Sequence, residues 1–481
     1  MKIHASVNSK VPKSKPKYQY LATFFATFSI MTSAMHYGWP SPSIPKLLDG
    51  SSQLTLTDEE GSWVAVMPLI GAVVGAISAG SLLDKIGRKK TILLTGVPYI
   101  VSWVIIAFCK NVELMYTARF LAGIADGLTF TAVPMYLGEI ADPNIRGLLG
   151  SSCSIFLITG VLLINGLGLY MSVSVTALIS TIMPIMLLIT FSFMPESPYY
   201  SIMKDKYDEA KKNLKILKGI DDVDHEVNRL ANAVKQQASE TGSMMDLFKV
   251  ASNRKAVIIM IGLRTVQQLS GITAITFYTK TIFDDAKTSI SSELTTIIYY
   301  SVQLILTCMS SLILDKAGRR PLMIFSTIGI IISLSFEGAY LYIDSETSID
   351  VSEFTYIPVI ALLTFIIAYS IGMGTIPVLM LGELFPTDVK AFALSLADIY
   401  FSVIAAVVSK FFQIMKDNFG MYVPFFCFTI CTIFGLVFVL ITLPETKGKT
   451  LEEIQDILKG VNSSESEENG EESEDKRGAR F

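Results

Sequence analysis

Twelve apolar stretches are the feature that most limits what this chain can fold into. A helix of roughly 20 apolar residues is long enough to cross the hydrocarbon core of a membrane. The stretches lie near residues 20–38, 61–82, 90–109, 113–138, 148–171, 174–194, 256–283, 293–314, 322–343, 355–382, 391–416 and 421–443. The pattern predicts an all-α membrane protein with twelve transmembrane helices.

The composition agrees with a membrane protein. Hydrophobic residues make up 51% of the chain and charged residues only 17%, whereas soluble domains carry about 25% charged residues. With a net charge of −4 and no basic face, the sequence gives no indication of nucleic-acid binding. The cysteines lack metal-site spacing, and no nucleophile–base pair or nucleotide loop is apparent. We therefore expect neither an enzyme nor a bound metal or other cofactor.

A long polar segment separates the apolar stretches into two groups of six. It contains two short amphipathic patterns, which we expect to form helices on the membrane surface. The end of the chain is acidic and almost free of large apolar residues, which is typical of disorder. We therefore expect a tail at 1–19, a six-helix half at 20–194, a linker at 195–254, a second half at 255–443 and a tail at 444–481.

The basic residues predict the orientation in the membrane. Lysine and arginine cluster after the second stretch, at residues 85–90, and after the eighth stretch, at residues 316–320. Loops on the other side carry scattered lysines and an excess of acids, such as residues 58–60. Because cytoplasmic loops are enriched in lysine and arginine, we expect both termini to be cytoplasmic. The interpretation is a multi-pass protein of the plasma membrane.

The chain repeats itself at a spacing of six stretches. DKIGRKK (84–90) corresponds to DKAGRRP (315–321), and GEIADPNIRG (138–147) corresponds to GELFPTDVKA (382–391). Two six-helix halves related by an axis along the membrane normal produce such a repeat. We predict that its charges latch the two halves together on the cytoplasmic side; the alternative is ordinary loop charge. The predicted gating residues are Asp84, Arg88, Lys89, Glu139, Arg146, Asp315, Arg319, Arg320 and Glu383.

Several motifs in order resemble the sugar porter family of the major facilitator superfamily, over about residues 20–455. They are RFLAG from Arg119, PMYLGEIADPNIRG (134–147), PESPYY (195–200), QQLSG (267–271) and PETKGKTLEEI (444–454). The segment GWPSPSIPKL (38–47) looks most like the insect trehalose-transporter branch. The resemblance implies two pseudo-symmetric halves that move a sugar by alternating access. It suggests facilitated diffusion of a mono- or disaccharide, trehalose among them.

Two amides in the seventh stretch are the first candidates for sugar contact. Gln267 and Gln268 are polar groups in an apolar helix, where an unsatisfied polar group is costly. An amide offers donors and an acceptor to a neutral polyol, although hydrogen bonding between helices is the alternative. A kink at Gly271 would bring Thr273 beside them. The family motifs add the candidate substrate-binding residues Thr273, Ser154, Gly374 and Pro377.

Four positions depart from the family pattern. Thr273 stands where the family has asparagine, Ser154 where it has glutamine, Val378 where it has tryptophan and Tyr199 where it has arginine. Three of the four changes remove hydrogen-bonding reach or an aromatic platform for a sugar. They argue against glucose as the substrate and leave open a nutrient receptor that binds solute without moving it.

Arg119 and Asp126 are charges within the fourth stretch, and at seven residues apart they point to the same side of a helix. Proton-coupled relatives pair this arginine with an aspartate in the first stretch. Here residues 20–48 contain no Asp or Glu. Either Asp126 neutralises Arg119, directly or through water, or Asp126 is the coupling site of a proton symporter. We favour neutralisation. Glu337 and Asp398 are further acids within apolar stretches.

Overall fold

A computed structural model describes residues 16–142, 144–239, 244–286, 290–449 and 451–459. Within these residues the chain forms α-helices and one 3-10 helix (352–354), and no strand. The helices are α1 (Lys17–Gly38), α2 (Pro40–Leu48), α3 (Asp58–Ile86), α4 (Arg88–Phe108), α5 (Val112–Ile140), α6 (Arg146–Tyr170), α7 (Val173–Ser180), α8 (Ile182–Phe191), α9 (Pro198–Met203), α10 (Tyr207–Lys218), α11 (Asp224–Ser239), α12 (Asp246–Lys249), α13 (Ala251–Leu269), α14 (Ile272–Asp285), α15 (Ser292–Ala317), α16 (Arg319–Glu346), α17 (Ile357–Ile371), α18 (Ile376–Leu384), α19 (Thr387–Phe419), α20 (Tyr422–Thr442) and α21 (Leu451–Lys459).

Most of the long helices are apolar enough to cross a membrane. Among the described residues, ten helical segments meet this condition, and in three of them two helices follow one another: α7 with α8, α13 with α14, and α17 with α18. The other two predicted spans correspond to α1 and α15, which have 22 and 26 residues. The predicted all-α membrane fold is confirmed.

The long helices pack into two groups. The N-terminal bundle is α1–α8 and the C-terminal bundle is α13–α20, and the short helices α9–α12 lie between them in the sequence. Glycines let α3 and α5 approach closely, as small residues do between membrane helices. A Cβ atom at Gly123 would lie 2.1 Å from the carbonyl oxygen of Pro68. This crossing therefore depends on the missing side chain.

The two ends of the molecule differ in how closely the two bundles pack. We call the end with the Gly87 and Gly318 turns the basic side, and the end with the α2–α3 connection the distal side. Residues of α1, α2, α3 and α6 enter the hydrophobic core of the C-terminal bundle, and all of them lie toward the distal side: Ala34, Ile44, Ala65, Leu69 and Val161. Toward the basic side, the N-terminal bundle has its own core, which includes Ala22, Leu83 and Leu137.

Hydrogen bonds between the bundles also lie toward the distal side. Lys410 of α19 donates to Ser62 of α3 over 2.6 Å, and its ammonium lies 4.3 Å from the centre of the Trp63 ring. The backbone N–H of Lys280 donates to Ser41 over 3.3 Å. Toward the basic side, a Cβ atom added at Gly138 or Gly147 would meet no atom within 4 Å. The bundles thus close on each other at the distal side.

Candidate functional site

Two interrupted helices meet near the middle of the molecule. The α13–α14 segment breaks at Gly271, whose φ of 84° is left-handed, a conformation that glycine adopts without steric cost. The α17–α18 segment breaks between Ile371 and Ile376. Interrupted helices expose backbone polar groups at membrane depth, and transporters use such breaks as binding sites.

Gln267 links the two breaks. Its amide nitrogen donates to the carbonyl oxygen of Met373 over 2.9 Å and to the Tyr369 hydroxyl over 3.3 Å. Its amide oxygen accepts from the Arg264 guanidinium over 3.0 Å. Both amide hydrogens are therefore used inside the protein. The structure matches the alternative of hydrogen bonding between helices, and contact of Gln267 with substrate stays a prediction.

Gln268 has a free donor. Its amide oxygen accepts from the Thr273 hydroxyl over 2.6 Å, and Thr273 in turn accepts from the Tyr37 hydroxyl of α1 over 2.9 Å. The break at Gly271 thus brings Thr273 beside Gln268, as the sequence predicts. The Gln268 amide nitrogen is buried and has no hydrogen-bond partner among the described residues. It is therefore a buried donor that no described protein group satisfies, at the junction of the two bundles.

The remaining predicted site residues lie in different places. Gly374 is in the α17–α18 break, where its N–H donates to the carbonyl oxygen of Tyr369 over 2.8 Å, and Pro377 is buried in the first turn of α18. Ser154 is exposed on α6, and the structure does not bring it into hydrogen-bonding contact with the glutamines. Val378 is 51% exposed.

Tyr37 and Tyr369 bring phenol rings to the two helix breaks through their bonds to Thr273 and Gln267. Tyr37 packs against Phe277 with ring centres 5.0 Å apart. Tyr299 packs against Tyr300 with ring centres 5.1 Å apart, and the Tyr299 hydroxyl has no partner within the described part of the chain. The sequence analysis missed Tyr299 and Tyr369. Buried tyrosines usually have a hydrogen-bond partner. A phenol hydroxyl in an otherwise apolar stretch was therefore the sequence signal that could have marked them as candidates.

A charged pair, Arg264 and Asp398, lies beside Gln267. Arg264 of α13 lies 3.9 Å from Asp398 of α19, and their side chains are 7% and 34% exposed. The Arg264 guanidinium also lies 5.1 Å from the centre of the Phe401 ring. The sequence singled out Asp398 as an acid in a span but missed Arg264.

At the basic side, the N-terminal bundle holds a compact charge network. The buried Arg88 forms a salt bridge of 2.8 Å with Glu139 at the end of α5, and the Ser197 hydroxyl also donates to Glu139. Glu196 accepts from the backbone N–H groups of Arg88 and Lys89 over 3.1 and 2.9 Å. A carboxylate at this position satisfies the first N–H groups of α4 and complements its helix dipole.

The C-terminal bundle repeats this network. Arg319 forms a salt bridge of 3.0 Å with Glu383, and the Thr446 hydroxyl donates to Glu383. Glu445 accepts from the backbone N–H groups of Arg319 and Arg320, each over 3.0 Å. Burial alone raises the pKa of Glu445, but these and other backbone hydrogen bonds hold that pKa below its usual value. The side chain of Asp315 lies outside the part of the chain that the structure describes.

In this conformation the predicted gating charges join residues within one bundle, and the latch between the two halves stays a prediction for a conformation closed at the basic side. Each network joins residues of one bundle to the segment that follows the same bundle. The reason is local. A Cβ atom at Gly87 would lie 2.4 Å from the Glu196 carboxylate, so the glycine lets Glu196 approach the start of α4 closely. Arg88, the next residue, then lies against its own bundle. Asp84 is 3.8 Å from Arg88 and largely exposed, Arg146 is exposed, and Lys89 donates to the Ser192 carbonyl oxygen over 2.6 Å. The motifs PESP and PETK supply the carboxylates that accept from the first N–H groups of α4 and α16, and the hydroxyls that donate to Glu139 and Glu383.

Arg119 and Asp126 form no direct salt bridge within the described residues, and their pairing through water stays a prediction. Arg119 donates to the carbonyl oxygens of Val64 and His36 over 3.1 and 2.7 Å, and it lies 4.9 Å from the centre of the Trp39 ring. Asp126 instead accepts from the Tyr99 hydroxyl over 2.8 Å. Seven residues rise about 10.5 Å along a helix, and the carbonyl oxygens of His36 in α1 and Val64 in α3 lie closer to the arginine than the carboxylate does.

Comparisons with known proteins agree with this architecture. The family model described as Sugar (and other) transporter matches residues 16–458. The facilitated trehalose transporter Tret1 of Culex quinquefasciatus is 35% identical over 466 residues, which cover 95% of this chain and 89% of that protein. Tret1 of Drosophila willistoni is also 35% identical, but the chain spans about half of that relative's length, 52%.

Solved structures show the same fold. The proton:xylose symporter XylE bound to 6-bromo-6-deoxy-D-glucose has a TM-score of 0.73 at 22% identity, with 92% of this chain and 99% of that chain covered. The inward open conformation of XylE from E. coli has a TM-score of 0.75 at 21% identity, with 91% and 99% covered. At this identity the likeness establishes the fold. Together with the family match, it shows that the chain belongs to the sugar transporter family of the major facilitator superfamily.

Proposed function

We propose that this chain moves a sugar across a membrane by alternating access, as facilitated diffusion, and that the disaccharide trehalose is its first candidate substrate. The observation that carries the proposal is the unpartnered amide nitrogen of Gln268 at the meeting point of the two bundles. It lies beside the Thr273 hydroxyl, which is bonded to Tyr37 of the opposite bundle. Neutral amides and hydroxyls at this point suit a polyol.

The position of these groups supports a coupling of binding to movement. Tyr37 belongs to the N-terminal bundle, and Thr273 and Gln268 belong to the C-terminal bundle. A sugar bound to Gln268 competes with or joins the Tyr37–Thr273 hydrogen bond, so its presence changes how the bundles hold together. The two-bundle architecture supports rocking of one rigid bundle against the other around a fixed site.

The charge networks then act within each bundle rather than between them. Arg88–Glu139 and Arg319–Glu383 tie the ends of helices together at the basic side. Their proposed role is to make each bundle move as one body. Since basic loops favour the cytoplasm, we place the basic side and both termini in the cytoplasm, and the protein in the plasma membrane. The conformation described, which is closed at the distal side, is then the inward-facing one.

The site favours facilitated diffusion over proton coupling. Asp126 is bonded to Tyr99 within the N-terminal bundle, and the acid next to the glutamine cluster, Asp398, is paired with Arg264. Uptake of labelled mono- and disaccharides into oocytes, with and without an inward proton gradient, tests the proposal. We expect uptake of trehalose that does not depend on the gradient. Gradient-driven accumulation would favour the symporter, and binding without uptake would favour the receptor.

A further inference from the structure

Arg264 is a buried cation of the membrane region that the transport proposal does not use. It lies on α13, one helical turn before Gln267, and is 5% exposed. A buried charge is tolerated when it is paired and hydrogen-bonded. The Asp398 carboxylate, 3.9 Å from the Arg264 guanidinium, supplies the opposite charge. The Gln267 amide oxygen accepts a hydrogen bond from the same guanidinium over 3.0 Å.

Two neighbours set the orientation of the Gln267 amide. A guanidinium can only donate hydrogen bonds and a backbone carbonyl can only accept them. Arg264 therefore requires the amide oxygen on its side, and the Met373 carbonyl requires the amide nitrogen on the other side. The two requirements agree, so the amide has a single favourable orientation. Asp398 holds Arg264 in place for it.

This orientation decides what the Tyr369 hydroxyl can do. The second amide hydrogen of Gln267 points to the Tyr369 oxygen, over 3.3 Å, so that oxygen is an acceptor toward Gln267. The hydroxyl proton of Tyr369 is then directed elsewhere, and no acceptor for it is found among the described residues. Tyr369 remains 9% exposed, so its hydroxyl is not sealed completely inside the protein.

We propose that Arg264, paired with Asp398, is a positioning residue that orients Gln267 and so makes Tyr369 a hydrogen-bond donor to one oxygen of the bound sugar. The inference rests on the proposed sugar transport. It gives Tyr369 a role in specificity, because the site then selects a sugar that presents an acceptor oxygen at that point. Arg264 contributes through Gln267 and does not touch the sugar.

The test is competition of tritiated trehalose binding by unlabelled trehalose and by a set of trehaloses that each lack one hydroxyl group. In the wild type, we expect one of these analogues to compete about three- to tenfold less well, the effect of one lost hydrogen bond. Tyr369→Phe should abolish the preference for that hydroxyl and leave the preferences at the other positions. The variant Arg264→Leu/Asp398→Leu, which removes both charges together, should reduce the same preference.

Tyr300→Phe is the matched control. Tyr300 is a buried neighbour whose hydroxyl is already bonded to Thr279 over 2.9 Å and to the Thr276 carbonyl oxygen over 3.1 Å, so its loss should leave every preference intact. An equal loss of affinity for all analogues in the Arg264/Asp398 variant would mean a structural role only and would overturn the inference. So would an unchanged preference in Tyr369→Phe. Absence of any trehalose binding by the wild type would overturn the proposed substrate as well.

Discussion

The amide nitrogen of Gln267 donates to the carbonyl oxygen of Met373 over 2.9 Å, so the break in one membrane helix is tied directly to the break in another. A carbonyl freed by a helix break needs a partner at membrane depth, because no water is available in the hydrocarbon core. Gln267 supplies that partner, while Gln268, the next residue, keeps its own donor free. The adjacent glutamines thus differ: the amide nitrogen of Gln267 is bonded within the protein, and that of Gln268 has no partner among the described residues.

The first prediction separates these two glutamines. Gln267→Leu leaves the Met373 carbonyl and a donor of Arg264 unpaired, which should destabilise the fold by about 1–3 kcal/mol. Gln268→Leu removes a donor that has no partner and a single acceptor, the one that Thr273 uses, so it should weaken sugar binding with a smaller loss of stability. Thermal melting of the detergent-solubilised protein and the half-saturation concentration for uptake measure the two effects. Equal melting temperatures for the two variants would contradict the assignment.

The second prediction concerns the charge network of the N-terminal bundle. Arg88→Ala leaves Glu139 without its cation, and removal of one partner of a buried pair costs about 3–5 kcal/mol. Arg319→Ala should cost less, because the Arg319 side chain is 13% exposed against 1% for Arg88. Lys85→Ala, at an exposed position of the same turn, is the control. Melting curves of the three variants should fall in the order Lys85, Arg319, Arg88, and a different order would count against a network inside each bundle.

The third prediction concerns closure at the distal side. Lys410→Met removes the hydrogen bond to Ser62 and the contact with the Trp63 ring, so the distal side should open more often. A cysteine at Ser43, which is buried in α2 at 2% exposure, reports this opening when a membrane-impermeant maleimide is added from outside the cell. We expect labelling to be severalfold faster in Lys410→Met than in the otherwise identical parent.

Lys416→Met is the control for that experiment. Lys416 is also on α19, but its salt bridge of 3.5 Å is to the adjacent Asp417, so its loss should not change the labelling rate. Unchanged labelling in Lys410→Met would show that this lysine does not hold the bundles together.

The fourth prediction follows from the separate partners of Arg119 and Asp126. Since the two side chains form no salt bridge and each has its own hydrogen bonds, the stability effects of Arg119→Leu and Asp126→Asn should add to within about 0.5 kcal/mol. A double-mutant cycle measured by thermal or denaturant unfolding provides the comparison. A double variant that is more stable than either single variant would restore the paired interpretation.

The long helices were predictable because a stretch of apolar residues is a local property. The repeat of DKIGRKK and DKAGRRP likewise predicted two related networks. Their partners were not predictable: the sequence does not show which helix ends are neighbours, so Arg88 was assigned to the interface between halves rather than to Glu139 of its own bundle.

The candidate site was predictable only in part. QQLSG drew attention to Gln267 and Gln268, and the glycine in it explains how Thr273 returns to Gln268. Arg264 lies within the seventh apolar stretch but was missed because the sequence does not show that Asp398 of a distant stretch lies beside it. The partners of Arg119 could not be predicted for another reason. They are backbone carbonyl oxygens, which no side-chain pattern reveals.

The central claim is that the chain moves a sugar down its gradient through a neutral hydrogen-bonding site. The most direct test is counterflow in proteoliposomes that contain only the purified protein, loaded with unlabelled trehalose and placed in tritiated trehalose, with equal pH on both sides. We predict transient accumulation of the label in wild-type vesicles, a much weaker signal for Gln268→Leu, and no change for Asp126→Asn. Absence of counterflow in the wild type at equal pH, together with uptake when an inward proton gradient is imposed, would contradict the facilitated mechanism.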